Sequence, residues 1–131
     1  MSEHALLTGS LVFSLRQIPE GASHVEIQLE KTMLDPQGPL LIDGSVSVER
    51  FRAEDLVTVD FTVRADVELV CERSLDTFIH TIEGSYSVEF SPREEEREED
   101  ARAYRGISPE GLTLDLNKDV RDTILLGVPL Q

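Results

Sequence analysis

Two long stretches of alternating apolar and polar residues dominate the chain, the first from Leu56 to Cys71 and the second from Phe78 to Phe90. Successive side chains of a β-strand point to opposite faces of the sheet, so each stretch predicts a strand with one dry and one wet face. In the first strand the dry face is predicted to carry Val57, Val59, Phe61, Val63, Ala65, Val67, Leu69 and Cys71. In the second strand it is predicted to carry Phe78, His80, Ile82, Gly84, Tyr86, Val88 and Phe90. The short link between the two stretches makes them the arms of one hairpin.

The predicted hairpin is too long to stay straight in a compact domain. At roughly 3.3 Å per residue its first arm would extend about 50 Å, whereas strands usually contain about 3–10 residues. We therefore expect the arm to bend or coil, for example at a β-bulge. A bent hairpin of this length would wrap around a core, and the rest of the chain would close around it.

Shorter alternating stretches on either side of the hairpin predict further strands, at about 11–15, 25–29, 40–51 and 112–116. In the third of these, one face is predicted to carry Leu40, Ile42, Gly44, Val46 and Val48. Consecutive strands that are joined by short links are usually antiparallel neighbours. The pattern therefore predicts one mainly antiparallel sheet.

A short helix is predicted after the last of these strands. Asn117 would cap its start and Gly127 would end it just after Leu126, while Val120 and Ile124 would face inward.

The predicted fold is α+β and predominantly β: a curled antiparallel sheet or partial barrel around a long hairpin (about 56–71 with 78–90), with one short C-terminal helix. At 131 residues without internal repeats, the chain is expected to be a single domain, 1–131. A segment at about 92–108 differs from the rest, because it is rich in Arg and Glu and contains few apolar residues. We expect it to be mobile or to form a solvated helix.

The formal net charge is −14, and residues 51–100 carry 15 acidic against 5 basic side chains. Affinity for nucleic acid comes largely from Lys and Arg that neutralise phosphates, so the charge disfavours broad RNA binding. The same charge would attract a basic protein. The alternative is that the acidic side chains only keep the domain soluble.

The single cysteine excludes an internal disulfide framework and fits a reducing compartment. No apolar run approaches the roughly 18–20 residues that a membrane span requires, and the first residues do not read as a signal peptide. We therefore expect a soluble cytoplasmic protein without membrane contact.

Candidate catalytic groups are scarce. Cys71 and His80 flank one turn, and a thiol beside an imidazole is the minimal nucleophile pair. The sequence shows neither an orienting group nor an oxyanion pocket for them, so a buried structural cysteine and a hydrogen-bonded core histidine are favoured. Phosphate-binding glycine loops, EF-hand loops and metalloprotease helix motifs are absent from the sequence. We expect a protein that is not an enzyme and has no catalytic residues, cofactor or metal.

The most specific motif lies at the hairpin turn, which reads Cys71-Glu72-Arg73-Ser74-Leu75-Asp76-Thr77-Phe78. It resembles the Cys-x-Arg-Cys-Leu-x-x-Phe signature of the YceD-like family, the large ribosomal RNA subunit accumulation proteins. The end of the chain, from Leu114-Asp115-Leu116 through Val120 to Pro129, is similar to the closing motif of that family. The motif positions, expected to be structural or to contact a partner, are Cys71, Arg73, Leu75, Phe78, Asp115, Leu116 and Pro129.

The chain departs from the family pattern at two places. Ser74 stands where the motif has a second cysteine, so Cys71 alone cannot form the metal site that fuller members could assemble. The chain also stops at Gln131, where many members continue into a cysteine-bearing tail. Either this branch lost the tail or the sequence is trimmed.

The resemblance implies a non-enzymatic factor in the accumulation or processing of large-subunit ribosomal RNA. Combined with the acidic charge, it indicates a ribosomal protein or a ribosome-assembly factor as the partner, and leaves direct RNA binding and the oligomeric state open. A second hypothesis is a small-molecule-binding β-barrel, since closed barrels with apolar interiors can hold ligands. A third is a cysteine-dependent enzyme that uses Cys71 and His80.

Overall fold

The computed structural model describes residues 6–8, 11–35, 37–92, 96–99 and 101–129. Nine strands, two 3₁₀ turns and one helix follow one another along these residues. The strands are β1 (Leu6–Thr8), β2 (Val12–Ser14), β3 (Gly21–Gln28), β4 (Leu40–Ala53), β5 (Leu56–Val70), β6 (Thr77–Ser91), β7 (Arg97–Glu99), β8 (Arg102–Gly106) and β9 (Thr113–Asp115). The helix is α1 (Asn117–Leu126), and the 3₁₀ turns are Leu15–Gln17 and Lys31–Met33.

Seven strands form one sheet in the order β1-β3-β4-β5-β6-β8-β7, and β2 pairs with β9 in a second, two-stranded sheet. The four long central strands are antiparallel, whereas β1 pairs with β3 and β6 pairs with β8 in parallel. Within the described residues β1 and β7 lie at opposite edges and do not pair, so the large sheet is not closed into a barrel. The predicted fold class, α+β and predominantly β, is confirmed.

The predicted hairpin is formed by β5 and β6, which pair without interruption from Val57 opposite Phe90 to Val70 opposite Thr77. A register shift lies in the neighbouring strand β4, between Leu41 and Asp43. The extra residue, Ile42, moves the preceding side chains to the other face, as a bulge does. Leu41 is consequently buried and Leu40 is 54% exposed, so the prediction that Leu40 lies on the dry face is wrong.

The dry face predicted for β5 is confirmed from Val57 to Leu69, all of whose alternate side chains are buried. On β6 the register places Phe78 and His80 on the predicted face, opposite Leu69 and Val67. Burial along this face is uneven, because Phe78 is 39% exposed and His80 is half-buried, whereas Ile82, Val88 and Phe90 are buried. Gly127, which follows α1, lies directly against Ile82. The hairpin therefore extends beyond the end of the helix that covers it.

One continuous core fills the space between the large sheet, the small sheet and α1. Val120 and Ile124 face it from the helix, as predicted, and both are fully buried. The helix lies so close to β6 that a Cβ on Gly84 would approach Thr123 Cγ2 to 2.7 Å. A glycine at this position permits the close approach of the helix to the sheet.

The start of α1 is capped differently from the prediction. Asn117 is the first helical residue, and Leu116 occupies the cap position. The carboxylate of Asp115 accepts hydrogen bonds from the backbone N–H of Asn117 at 2.8 Å and from its Nδ2 at 2.9 Å. The helix ends before Gly127, as expected.

The expectation of a mobile or solvated helical segment at about 92–108 is wrong for β8, which is partly buried, whereas β7 is a strand whose three side chains are exposed. β8 pairs in parallel with β6, and Ala103, Arg105 and Ile107 are buried beside the core. The only charged member of this trio, Arg105, faces a carboxylate from α1, which compensates its burial. Residues 93–95 and 100 lie outside the described part of the chain.

Candidate functional site

The wet sides of β3 to β6 and β8 form one continuous polar surface, which we call the acidic face. Its acidic side chains are Glu26, Asp43, Glu49, Asp60, Asp66, Glu68, Glu83 and Glu89, and its arginines are Arg64 and Arg102. Eight carboxylates against two guanidinium groups give this surface a strongly negative potential.

Like charges lie directly opposite one another at two places on the acidic face. The ladder of β4 and β5 pairs Asp43 with Asp66 and Glu49 with Asp60. Like charges that face each other across a ladder are destabilising. Sheet formation alone does not account for this arrangement.

Neutral donors hold three of these four carboxylates. Gln28 Nε2 and Thr81 Oγ1 each donate at 2.7 Å, to Asp43 and Asp66 respectively, and Ser87 Oγ donates to Asp60. These bonds fix the carboxylates in place without neutralising their charge.

The ion pairs of the acidic face involve other carboxylates. Arg64 Nη1 lies 2.7 Å from Glu83 Oε2, and Arg102 Nη1 lies 3.5 Å from Glu89 Oε1. Within the described residues His24 is the one titratable base near Glu49, with 3.2 Å between Nδ1 and Oε1. Asp43, Asp60 and Asp66 therefore keep their charge available to a cationic partner.

The hairpin turn closes around a single helical turn. Leu75 N donates to Cys71 O at 2.7 Å, and Cys71 N donates to Asp76 O at 2.8 Å. Leu75 has φ = 61°, in the left-handed region that favours glycine. Its side chain is 75% exposed.

Apolar side chains surround this turn, and we call residues 70–79 the hairpin tip. Val70, Leu75, Phe78 and Ile79 are all exposed there. Together with the 37–39 loop and the end of the chain, the tip borders a shallow groove of ≈ 670 Å³. The groove is lined in part by Glu68, Val70, Glu72, Leu75, Val128 and Pro129.

The groove brings together two motif positions that are far apart in sequence, Leu75 and Pro129. The hairpin tip also contains Cys71, Arg73 and Phe78, of which Arg73 is exposed. The remaining positions lie elsewhere: Asp115 accepts a hydrogen bond from the first residue of α1, and Leu116 is fully buried in the core.

Cys71 is half-buried, so the prediction of a buried structural cysteine is wrong. Hydrogen bonds from the Ser74 hydroxyl, and then from the backbone N–H groups of Ser74 and Arg73, lower the pKa of its thiol. The described contacts join Cys71 to Ser74 rather than to His80. Among the described residues, no group of three or more His, Cys, Asp or Glu side chains could hold a metal ion.

Sequence reasoning missed a buried ion pair between β8 and α1. Arg105 Nη2 lies 2.8 Å from Asp119 Oδ1 and 3.3 Å from Glu98 Oε2. The hydrogen bond to Asp119 is the main cause that raises the pKa of Arg105. The alternation of Ala103, Arg105 and Ile107 is the sequence signal that could have identified β8.

A cleft of ≈ 450 Å³ lies beside this pair, between α1 and β6. Tyr86, Glu98 and Asp119 line it, along with the exposed end of the helix. Burial, and then the charges of Glu98 and Asp119, raise the pKa of Tyr86.

A family model described as "Large ribosomal RNA subunit accumulation protein YceD" matches residues 59–131, which is more than half of the chain. The chain belongs to the YceD family. The match begins within β5 and includes the hairpin tip, β6 and α1, so the resemblance predicted from the turn motif is confirmed. Comparisons with curated proteins and with solved structures gave no match. In the described part of this YceD-family chain, no helix is long and apolar enough to cross a membrane.

Proposed function

We propose that this YceD-family protein is a non-enzymatic, cytoplasmic ribosome-biogenesis factor. It supports the accumulation or processing of large-subunit ribosomal RNA by holding a basic protein, either a ribosomal protein or an assembly factor. The family assignment supports the link to large-subunit ribosomal RNA. The acidic face supports a basic protein as the direct partner.

The observation that carries the proposal is the pairing of like charges on β4 and β5. Like charges directly opposite each other are destabilising, so the pairs of Asp43 with Asp66 and of Glu49 with Asp60 weaken the free sheet. A partner that inserts Lys or Arg between the opposed carboxylates would convert each repulsion into attraction. Electrostatic complementarity of this kind speeds association and selects the partner.

The same surface argues against RNA as the direct ligand. Phosphates are attracted by Lys and Arg, and the acidic face has two arginines, each already close to a glutamate. The acidic face carries two aromatic side chains, the exposed Phe51 and the half-buried Tyr104, which are fewer than an RNA-stacking platform with surrounding cations would require.

The barrel hypothesis loses its structural basis, because the large sheet is open. Its dry face is filled by side chains from α1 and the small sheet. No specific observation in the described residues favours a small-molecule site over a docking surface.

The test is a pull-down at low salt with the immobilised full chain and cell lysate, with and without ribonuclease. We expect a basic ribosomal or assembly protein to remain bound after ribonuclease treatment. Loss of all bound material on that treatment would make RNA the ligand or the bridge, and the absence of any ribosomal component would refute the proposal.

A charge variant sharpens this test. Glu49→Gln with Asp66→Asn removes one member of each like-charge pair and keeps the local hydrogen-bond acceptors. We expect a higher unfolding midpoint and weaker retention of the partner. Glu30→Gln with Glu110→Gln is the matched control, because it removes the same charge from exposed positions outside the acidic face.

A further inference from the structure

The backbone of Leu75 is unfavourable for the residue that occupies it. Leu75 follows one helical turn, closed by its N–H to Cys71 O at 2.7 Å, and has φ = 61°. Helical turns that end in this left-handed conformation commonly use glycine or asparagine there, since a Cβ clashes with the following carbonyl. A branched apolar side chain is among the poor choices for the isolated fold.

The side chain of Leu75 gains little in return, because it is 75% exposed. It lies outside the core cluster, to which the neighbouring Leu69 belongs. The free protein thus combines a disfavoured backbone conformation with a solvated leucine. Backbone outliers that the free fold does not need are characteristic of functional sites.

The surroundings of Leu75 define what could cover it. Val70, Val128 and Pro129 share its groove, and the carboxylates of Glu68 and Glu72 lie on the groove's border. This combination of exposed apolar groups with acidic neighbours is complementary to a segment that carries an apolar side chain among basic ones.

The groove is continuous with the acidic face. Glu68, which borders the groove, lies opposite Leu40 on β4 and opposite Ile79 on β6, and both of these are exposed. The next residue of β5 on the same face as Glu68 is Asp66, a member of one like-charge pair. One extended basic partner can therefore contact both surfaces.

We propose that Leu75 is the apolar anchor of a docking surface formed by the groove at the hairpin tip and the acidic face. Leu75 and Val70 contact an apolar side chain of a basic protein segment, and the basic side chains of that segment contact the acidic face. This inference rests on the proposed function and adds the position of the contact and the chemistry of the partner. A second copy of the chain is a poorer occupant of the groove. Two tips in contact would bring Glu68 and Glu72 of one copy close to the same residues of the other, and each chain has a net charge of −14.

The experiment uses the immobilised full chain and the proteins extracted from purified large ribosomal subunits after ribonuclease treatment. Retained proteins are identified by mass spectrometry, and each is then titrated to give a Kd. Leu75→Asn keeps a residue suited to the left-handed backbone and removes the apolar group. Leu75→Met keeps an apolar side chain, and Ala101→Asn introduces the same residue at an exposed position with φ = 62°.

We expect Leu75→Asn to weaken binding roughly tenfold or more, which is the effect of exposing one buried leucine-sized group. Leu75→Met and Ala101→Asn should bind within about threefold of the wild-type chain, and the unfolding midpoint of Leu75→Asn should be unchanged or raised. If Leu75→Asn does not fold, Val70→Thr is tested in its place, since it removes an apolar group from the same groove without altering the turn.

Three outcomes separate this inference from the function on which it rests. Unchanged binding by Leu75→Asn overturns the inference, and the proposed function stands if Glu49→Gln with Asp66→Asn still binds more weakly. A wild-type chain that retains no protein from the large subunits, and no basic protein from ribonuclease-treated lysate, refutes both. The last case is self-association, which sedimentation velocity detects. If the wild-type chain is a dimer, and Leu75→Asn dissociates it without changing the retention of ribosomal proteins, the tip serves self-association and the inference is overturned.

Discussion

The buried pair of Arg105 and Asp119 offers the sharpest test of how β8 is held in the fold. Arg105 Nη2 donates to Asp119 Oδ1 at 2.8 Å and Nε donates to Oδ2 at 3.4 Å, in a two-pronged contact. The two side chains are 10% and 3% exposed. Asp119→Ala would leave a guanidinium buried beside the core, with the exposed side chain of Glu98 at 3.3 Å as its remaining ion-pair partner among the described residues.

The expected cost follows from that geometry. Removing one member of a buried ion pair usually destabilises a protein by about 3–5 kcal/mol, because the other charge stays desolvated. Glu98 can move toward Arg105 and compensate part of this, so we expect a loss of about 3 kcal/mol. Domains of this size have total stabilities of about 5–15 kcal/mol, which makes the loss readily measurable.

Urea unfolding followed by circular dichroism measures this difference. Arg105→Met with Asp119→Leu should recover most of the lost stability, since replacing both charges by apolar groups is often neutral or favourable. Asp122→Asn, which removes the exposed partner of Lys118, is the control and should leave the midpoint unchanged. A loss below about 1 kcal/mol in Asp119→Ala, without recovery in the double variant, would refute the reasoning.

Three further predictions test the tip, the helix and an arginine of β4. Ser74→Ala should slow alkylation of Cys71 by iodoacetamide at neutral pH and shift its pH profile upward, because the donors that lower the thiol pKa are reduced; an unchanged profile would contradict this. Gly84→Ala should destabilise the fold by about 1–3 kcal/mol in urea unfolding, since its Cβ would meet Thr123 Cγ2 at 2.7 Å. Arg52→Lys should lower the free energy of unfolding by about 1–2 kcal/mol in the same assay, because an ammonium cannot reproduce the planar donors that reach three backbone carbonyls. For Gly84→Ala or Arg52→Lys, a free energy of unfolding equal to that of the wild-type chain within error would show that the contact is dispensable.

The central hairpin and α1 could be predicted because their patterns are local. Alternation continues without a break from Val57 to Leu69, and Val120 and Ile124 are spaced for one face of a helix. Each pattern needs only the geometry of its own element, which is why the strand and helix boundaries agree with the structure to within one or two residues.

The missed features depend on contacts between distant segments. Arg105 is buried beside Asp119 of α1. The alternation of Ala103, Arg105 and Ile107 indicates a strand, but residues 92–108 alone do not show that α1 supplies the carboxylate. The bulge at Ile42 could not be predicted from the sequence either, since both Leu41 and Ile42 are apolar and either could face inward. Cys71 is half-buried rather than buried, and it lies in the turn just beyond the last β5–β6 pair, Val70 with Thr77.

The proposed docking surface and the contacts that stabilise the fold lie on different sides of the sheet, and that separation can itself be tested. The acidic face and the hairpin tip carry features that weaken the free protein, namely two like-charge pairs and the left-handed backbone of Leu75. The features that hold the fold together lie on the dry face, in the pair of Arg105 with Asp119 and the close packing of Gly84 against α1. Substitutions on the first side should raise the unfolding midpoint while they weaken partner binding, as expected where function opposes stability. Substitutions on the dry face should lower the unfolding midpoint and leave the Kd of the folded protein unchanged. The Kd of Asp119→Ala is therefore measured at a temperature below its unfolding transition. A higher Kd than that of the wild-type chain would contradict the placement of the docking surface on the acidic face and the hairpin tip.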